Sequence, residues 1–139
     1  MGAIKPIIKF VVFCQQITEN NLEGIGITSH LIEPFLFLKI PLLPKKMSFA
    51  ISIGISVFDN SEYELKLEFI SPDSGDKFEM AGKIVFPKLS KEGGSLLSIE
   101  ITDYEFRDSG EYILKLYING ELLNTQSLNV YTVEEDGNV

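Results

Sequence analysis

Apolar residues recur at every second position through most of this chain. Met47, Phe49, Ile51, Ile53, Ile55 and Val57 alternate with Ser48, Ala50, Ser52, Gly54 and Ser56. Tyr63, Leu65, Leu67 and Phe69 alternate with Glu62, Glu64, Lys66 and Glu68. Leu97, Ile99 and Ile101 alternate with Ser98, Glu100 and Thr102, and Tyr112, Leu114, Leu116 and Ile118 with Glu111, Ile113, Lys115 and Tyr117. Successive side chains of a strand point to opposite faces. A two-residue period with one apolar and one mostly polar side therefore predicts half-buried antiparallel strands. No stretch sustains helical spacing for three turns.

Turn chemistry separates these runs. SPDSGD (71–76) offers Pro72 for a fixed φ and Gly75 for a positive one, KEGGS (91–95) and VFDNSEY (57–63) supply two more turns, and Asn119-Gly120 fits a two-residue type I′ hairpin. About eight strands follow, at roughly 7–14, 24–32, 47–57, 62–70, 77–86, 96–106, 110–118 and 121–131. This spacing predicts one all-β sandwich domain over residues 1–131, with an acidic, flexible tail at 132–139.

FRDSGEYILKLYINGE (106–121) carries an Asp-x-Gly-x-Tyr phrase ahead of the most regular alternation. Asp108 can bond nearby backbone, Gly110 can adopt a positive φ, and Tyr112 can turn its ring inward and return its hydroxyl to the chain. The stretch resembles the tyrosine corner of immunoglobulin-like domains, or else is a generic turn-then-strand phrase. Leu114 stands where a half-cystine would be expected, so the resemblance implies an immunoglobulin- or fibronectin-like sandwich without a disulfide. The succession FVVFCQQI, LEGIGITSHLI with Pro34, PLLPKKMSFAISIGISV, YELKLEFISPDSG and GEYILKLYINGELLNTQSLNV is similar to a family of small uncharacterised bacterial proteins. That similarity implies a sandwich and no activity; by analogy it suggests a bacterial, mobile-element or phage-related accessory protein.

Composition narrows the function classes. With 45% hydrophobic residues in 139, the chain can bury roughly 70% of its unfolded surface without staples. Its single cysteine, Cys14, allows no internal disulfide and reads as a small buried hydrophobe in a reducing, cytoplasmic setting. The net charge is −8, with +2 in residues 1–46 and −10 in the remainder, and Arg107 is the only arginine. Phosphate binding relies on a basic footprint, so nucleic acid is not an expected partner. Lys9 interrupts the apolar N-terminal run, and LIEPFLFLKIPLLP (31–44) is too short and too proline-rich to span a bilayer, so no membrane association is expected.

Residues suited to chemistry are scattered. Ser29 and His30 are adjacent in an extended run and point to opposite faces, which excludes a nucleophile–base pair between them. One cysteine and one histidine are too few for a zinc site. The oxygen-rich loops 59–62 and 71–76 flank one strand about 30 Å long and cannot share a calcium ion. Asp103 and Glu105 share a strand side but read as solvated strand-end residues. Gly24 and Gly26 lack the remainder of a phosphate loop and fit a bulge better. Neither catalysis nor a cofactor or metal is expected.

Two features suit binding. The row containing Ser52 and Gly54 has almost no side-chain bulk, so it is either a face that another element can approach closely or one covered by the chain's own early segment. EPFLFLKIPLLPKK (33–46) contains three prolines and is apolar on both sides, with Phe35 and Phe37 on one and Leu36, Leu38 and Ile40 on the other. It is either buried within the domain or presents a protein-binding edge rimmed by Lys45 and Lys46. The leading expectation is a non-catalytic module working by protein contact or self-association; a structural component of a phage-like assembly and a small-ligand binder are the alternatives.

Overall fold

The computed structural model describes residues 6–22, 26–56, 61–73, 75–85 and 95–132. Nine strands are present: β1 (Ile7–Leu22), β2 (Gly26–Phe35), β3 (Phe37–Ile40), β4 (Lys45–Ser56), β5 (Glu62–Ile70), β6 (Lys77–Val85), β7 (Ser95–Phe106), β8 (Gly110–Ile118) and β9 (Glu121–Thr132). They form a four-stranded sheet in the order β2-β1-β4-β7 and a five-stranded sheet in the order β3-β9-β8-β5-β6. Of the expected acidic tail, 132–139, Thr132 ends β9 and the remainder lies outside the described residues.

The alternation read from the sequence sets the core. Ile51, Ile53 and Ile55 of the first sheet meet Leu67, Phe69, Leu114 and Leu116 of the second in one buried cluster. An aromatic group ties the sheets together: Phe69 on β5 lies 5.8 Å from Phe49 on β4, 5.2 Å from Tyr104 on β7 and 5.3 Å from Tyr112 on β8, ring centre to ring centre. Such separations suit offset and edge-on aromatic pairs.

Two parts of the architecture depart from the expected eight antiparallel strands. The proline-rich segment contributes a strand of its own, β3, at the margin of the second sheet. The chain leaves β2 at Phe35, bends at Leu36 and enters β3, thereby changing sheets, and β3 runs parallel to β9 with Phe37 opposite Asn129. Edge places accommodate the prolines: Pro34 lies in β2, the border strand of the first sheet, and Pro41 and Pro44 follow the four paired residues of β3. The second departure is β1, which extends to Leu22 and lies between β2 and β4. Its register with β4 shifts between Ile8 and Phe10, a bulge that keeps Ile8, Val11 and Phe13 against the core.

Local turn chemistry agrees with the expectation at two hairpins. Asn119 and Gly120 have φ of 51° and 79°, both positive as a type I′ turn requires. Asn119 also spans to β5: its amide donates to the Glu64 carbonyl at 2.8 Å, and its side-chain Oδ1 accepts from the Glu64 amide at 2.9 Å. In the 71–76 turn, the Ser71 amide donates to the Asp76 carbonyl at 2.9 Å and Gly75 has a φ of 68°.

Candidate interaction surface

The corner at the start of β8 is built as its residues suggest. Tyr112 is fully buried, and its hydroxyl donates to the Asp108 carbonyl at 2.8 Å while accepting from the Asp108 amide at 3.3 Å. Gly110 has a φ of 131°, a region unfavourable to side chains, and a Cβ there would sit 3.1 Å from the Pro72 ring. Burial raises the Tyr112 phenol above its ordinary range, opposed by the bond to Asp108. Leu114 is 1% exposed and fills the half-cystine position with plain apolar packing. Asp108, Gly110 and Tyr112 thus form a structural corner.

The middle of the small-residue row of β4 is buried instead of open, while Ser48 at its start is exposed. β4 lies between β1 and β7, and Ala50, Ser52 and Gly54 point away from the core. Ser52 is 0% exposed and its Oγ has no hydrogen-bond partner among the described residues. The Phe10 ring covers Gly54, where an added Cβ would stand 2.3 Å from the ring. Glycine is thus the residue that lets β1's aromatic ring rest on the sheet. Gly54→Ala is expected to cost about 1 kcal/mol by displacing that ring. In a Phe10→Ala background the same change is expected to become neutral or favourable, because glycine is itself a poor strand residue. Urea denaturation of the four proteins checks this, and equal effects of Gly54→Ala in both backgrounds would exclude the contact.

Cys14 is also fully buried on this side of the first sheet. Its Sγ lies 3.8 Å from the Ala50 carbonyl, and burial pushes the thiol pKa up, which disfavours the nucleophilic thiolate. The side chains of Ser29 and His30 lie outside the described residues. Asp103 has a positive φ of 52° and its amide donates to Ser48 Oγ at 3.0 Å, within the β4–β7 register shift. Glu105 accepts from Arg107 Nε. Among the described residues no three His, Cys, Asp or Glu side chains converge as a metal site would require.

One buried acid was not legible in the alternation. Glu68 is 5% exposed although it lies on the polar side of β5. Tyr117 Oη donates to it at 2.9 Å, and Lys77 and Lys66 place their ammonium groups 3.4 and 3.5 Å away. The Tyr117 bond, with the two lysines, outweighs burial and holds the Glu68 carboxyl below its usual range. This is a satisfied structural carboxylate and a weak proton acceptor. Lys66 and Glu68 at i and i+2 share a strand side, but the contributions of Tyr117 and Lys77 come from sequence-distant positions.

The 33–46 segment divides its apolar residues between the core and solvent. Ile40 is buried, Leu38 and Leu43 pack partly against the core, and the Phe35 ring stacks on Phe13 at 6.1 Å. Leu36 is 85% exposed, Leu42 76% and Phe37 47%, with the Phe37 ring 5.7 Å from Tyr131. Lys45 and Lys46 are exposed as β4 begins. Of the predicted binding residues, Phe37, Lys45 and Lys46 therefore lie at the surface, Phe35 is partly buried, and Ser52 and Gly54 are buried.

Two stacked sheets, closed by a tyrosine corner and bordered by an apolar margin, define an immunoglobulin-like β-sandwich. The chain belongs to a family of unknown function (DUF6941), which matches residues 9–131. No curated protein matches it. Among solved structures, it is similar to the Pseudomonas fluorescens alkylpurine DNA glycosylase AlkC bound to DNA containing an abasic site analog, at 10% identity and a TM-score of 0.47. That similarity covers 69% of this chain and 28% of the glycosylase, so the chain spans under a third of that protein's length. It is also similar to an immunoglobulin-like protein from Pseudomonas aeruginosa, at 15% identity and a TM-score of 0.42, covering 94% of this chain and 99% of that one. Among the described residues no helix is long and apolar enough to cross a membrane.

Proposed function

We propose that this protein is a non-catalytic interaction module that binds a protein partner through the margin formed by residues 33–46. The exposure of Leu36, Phe37 and Leu42 along that margin carries the reading. Large apolar side chains left in water within one short stretch of chain favour a site that buries them, and Lys45 and Lys46, exposed just after that stretch, supply a polar rim. A cytoplasmic accessory protein of bacterial origin is the setting that agrees with a single buried thiol.

Leu36→Ser combined with Leu42→Ser is expected to leave the thermal midpoint nearly unchanged, because both side chains already face solvent. The same variant is expected to lose a partner that the parent retains from native lysate. Leu122→Ser, at a 45% exposed position in the β8–β9 hairpin strand, serves as the control and is expected to retain it. Equal capture by all three proteins would refute the margin as the binding surface.

A further inference from the structure

β6 borders the five-stranded sheet, paired with β5 on one side and with no strand on the other among the described residues. It is nine residues long, and seven of them are exposed. Its inward row is Phe78, Met80, Gly82 and Ile84, with Met80 37% exposed; a Cβ on Gly82 would meet nothing within 4 Å. Its outward row is Lys77, Glu79, Ala81, Lys83 and Val85. An uninterrupted edge of this kind exposes unpaired backbone donors and acceptors to another strand.

Set antiparallel against itself, the middle of β6 is self-complementary in charge and bulk. In an antiparallel pairing of two copies with the two-fold axis at Ala81, Glu79 lies opposite Lys83 of the other copy, and Lys83 opposite its Glu79. Phe78 then lies opposite Ile84, and Met80 opposite Gly82, where the missing side chain leaves room for it. Moving the axis to Met80 sets Lys77 against Lys83, and moving it to Gly82 leaves Glu79 opposite Val85. An axis between residues would set the inward row against the outward row. Of the registers that pair seven or more of the nine residues, only the one at Ala81 sets opposite charges against each other and keeps both rows on their own faces.

We infer that a second copy of this chain docks antiparallel along β6, making a continuous ten-stranded sheet across a two-fold axis at Ala81. This rests on the interaction-module reading but uses a different border of the sandwich from the 33–46 margin. About eight to ten main-chain hydrogen bonds would join the strands. Lys83 keeps its exposed pairing with Glu62 at 3.7 Å within its own copy, and the new contact adds Glu79 of the other. The net charge of −8 on each copy opposes association, over distances that physiological salt screens.

Sedimentation velocity over a concentration series tests this, with circular dichroism confirming that each variant is folded. The parent is expected to dimerise. Glu79→Lys and Lys83→Glu are each expected to weaken the dimer at least about tenfold, because two like-charge pairs then face each other across the axis. The double variant Glu79→Lys with Lys83→Glu is expected to restore it. Ala81→Cys is expected to form a covalent dimer under mild oxidation. A parent that stays monomeric throughout the series overturns the inference, as does a dimer indifferent to both single reversals. Leu36→Ser with Leu42→Ser separates the two surfaces: it is expected to leave the β6 dimer intact, and loss of that dimer would count against the β6 assignment.

Discussion

Phe69→Ala is expected to destabilise the domain by about 3–5 kcal/mol, the range for removing a buried phenylalanine ring. Phe69 is 0% exposed. Its ring centre is 6.3 Å from Phe13, 5.8 Å from Phe49 and 6.4 Å from Phe106, in addition to its neighbours Tyr104 and Tyr112. These partners come from both sheets, so the cavity would open between layers whose backbones are held by their own ladders and can collapse only partly. Domains of this size have about 5–15 kcal/mol in total, so the loss is about a third to a half of it at the middle of that range. The contrasting substitution is Phe37→Ala, at a 47% exposed position, where less than about 1 kcal/mol is expected. Urea titrations followed by circular dichroism distinguish the two through their midpoints. Similar midpoints for both variants would mean that the aromatic cluster does not join the sheets as its geometry implies.

The features that were legible in the sequence are those fixed by residues close together in it. A two-residue period identifies a strand wherever it occurs, which is why β5 and β8 begin and end as expected at 62–70 and 110–118. Asn119-Gly120 and the Asp108–Gly110–Tyr112 corner were legible for the same reason, since φ preference and a short-range hydrogen bond need no distant partner. The small outward row of β4 was visible too, but its meaning depended on Phe10, some forty residues earlier, which nothing near Gly54 announces. Glu68 is similar: its strand side follows from alternation, whereas its burial depends on Tyr117 and Lys77 arriving from β8 and β6. In the 33–46 segment the three prolines are incompatible with a central strand, and β3 indeed borders its sheet. They left open a short border strand parallel to β9, a pairing set by the layer the chain enters after Leu36. Apolarity on both sides could not show which residues the core would take. Phe35 and Phe37 share a side in an extended chain, yet the bend at Leu36 places one against Phe13 and leaves the other beside Tyr131.

Alkaline pH is expected to unfold the protein steeply, because the corner holds two phenols that resist ionisation. Burial raises the Tyr104 hydroxyl above its ordinary value near 10, partly offset by its bond with Ser71, with Asp76 and Asp108 adding to the rise. Burial likewise raises Tyr112, partly offset by its bond with Asp108. The two rings are 6.5 Å apart, and a charge on Tyr104 opposes one on Tyr112. Once the pH passes the unfolded-state value, the unfolded chain releases protons that the folded chain still holds. Fewer protons on the unfolded state make the slope of unfolding free energy against pH negative. The stabilising contribution is therefore complete below a pH of about 10 and is lost as the pH rises through the folded-state values. Each retained proton adds about 1.4 kcal/mol per pH unit, so the two together would give a decline of up to about 2.7. Tyr112→Phe is expected to cost about 1 kcal/mol at neutral pH, since the Asp108 carbonyl loses its donor. It is also expected to make the alkaline slope shallower, as is Tyr104→Phe, while the raised Cys14 thiol and Tyr117 phenol sustain part of what remains. Urea midpoints from about pH 8 to about pH 12 report both quantities. A slope unchanged by either substitution would mean that these hydroxyls are hydrated in the folded state and that the corner is open to water.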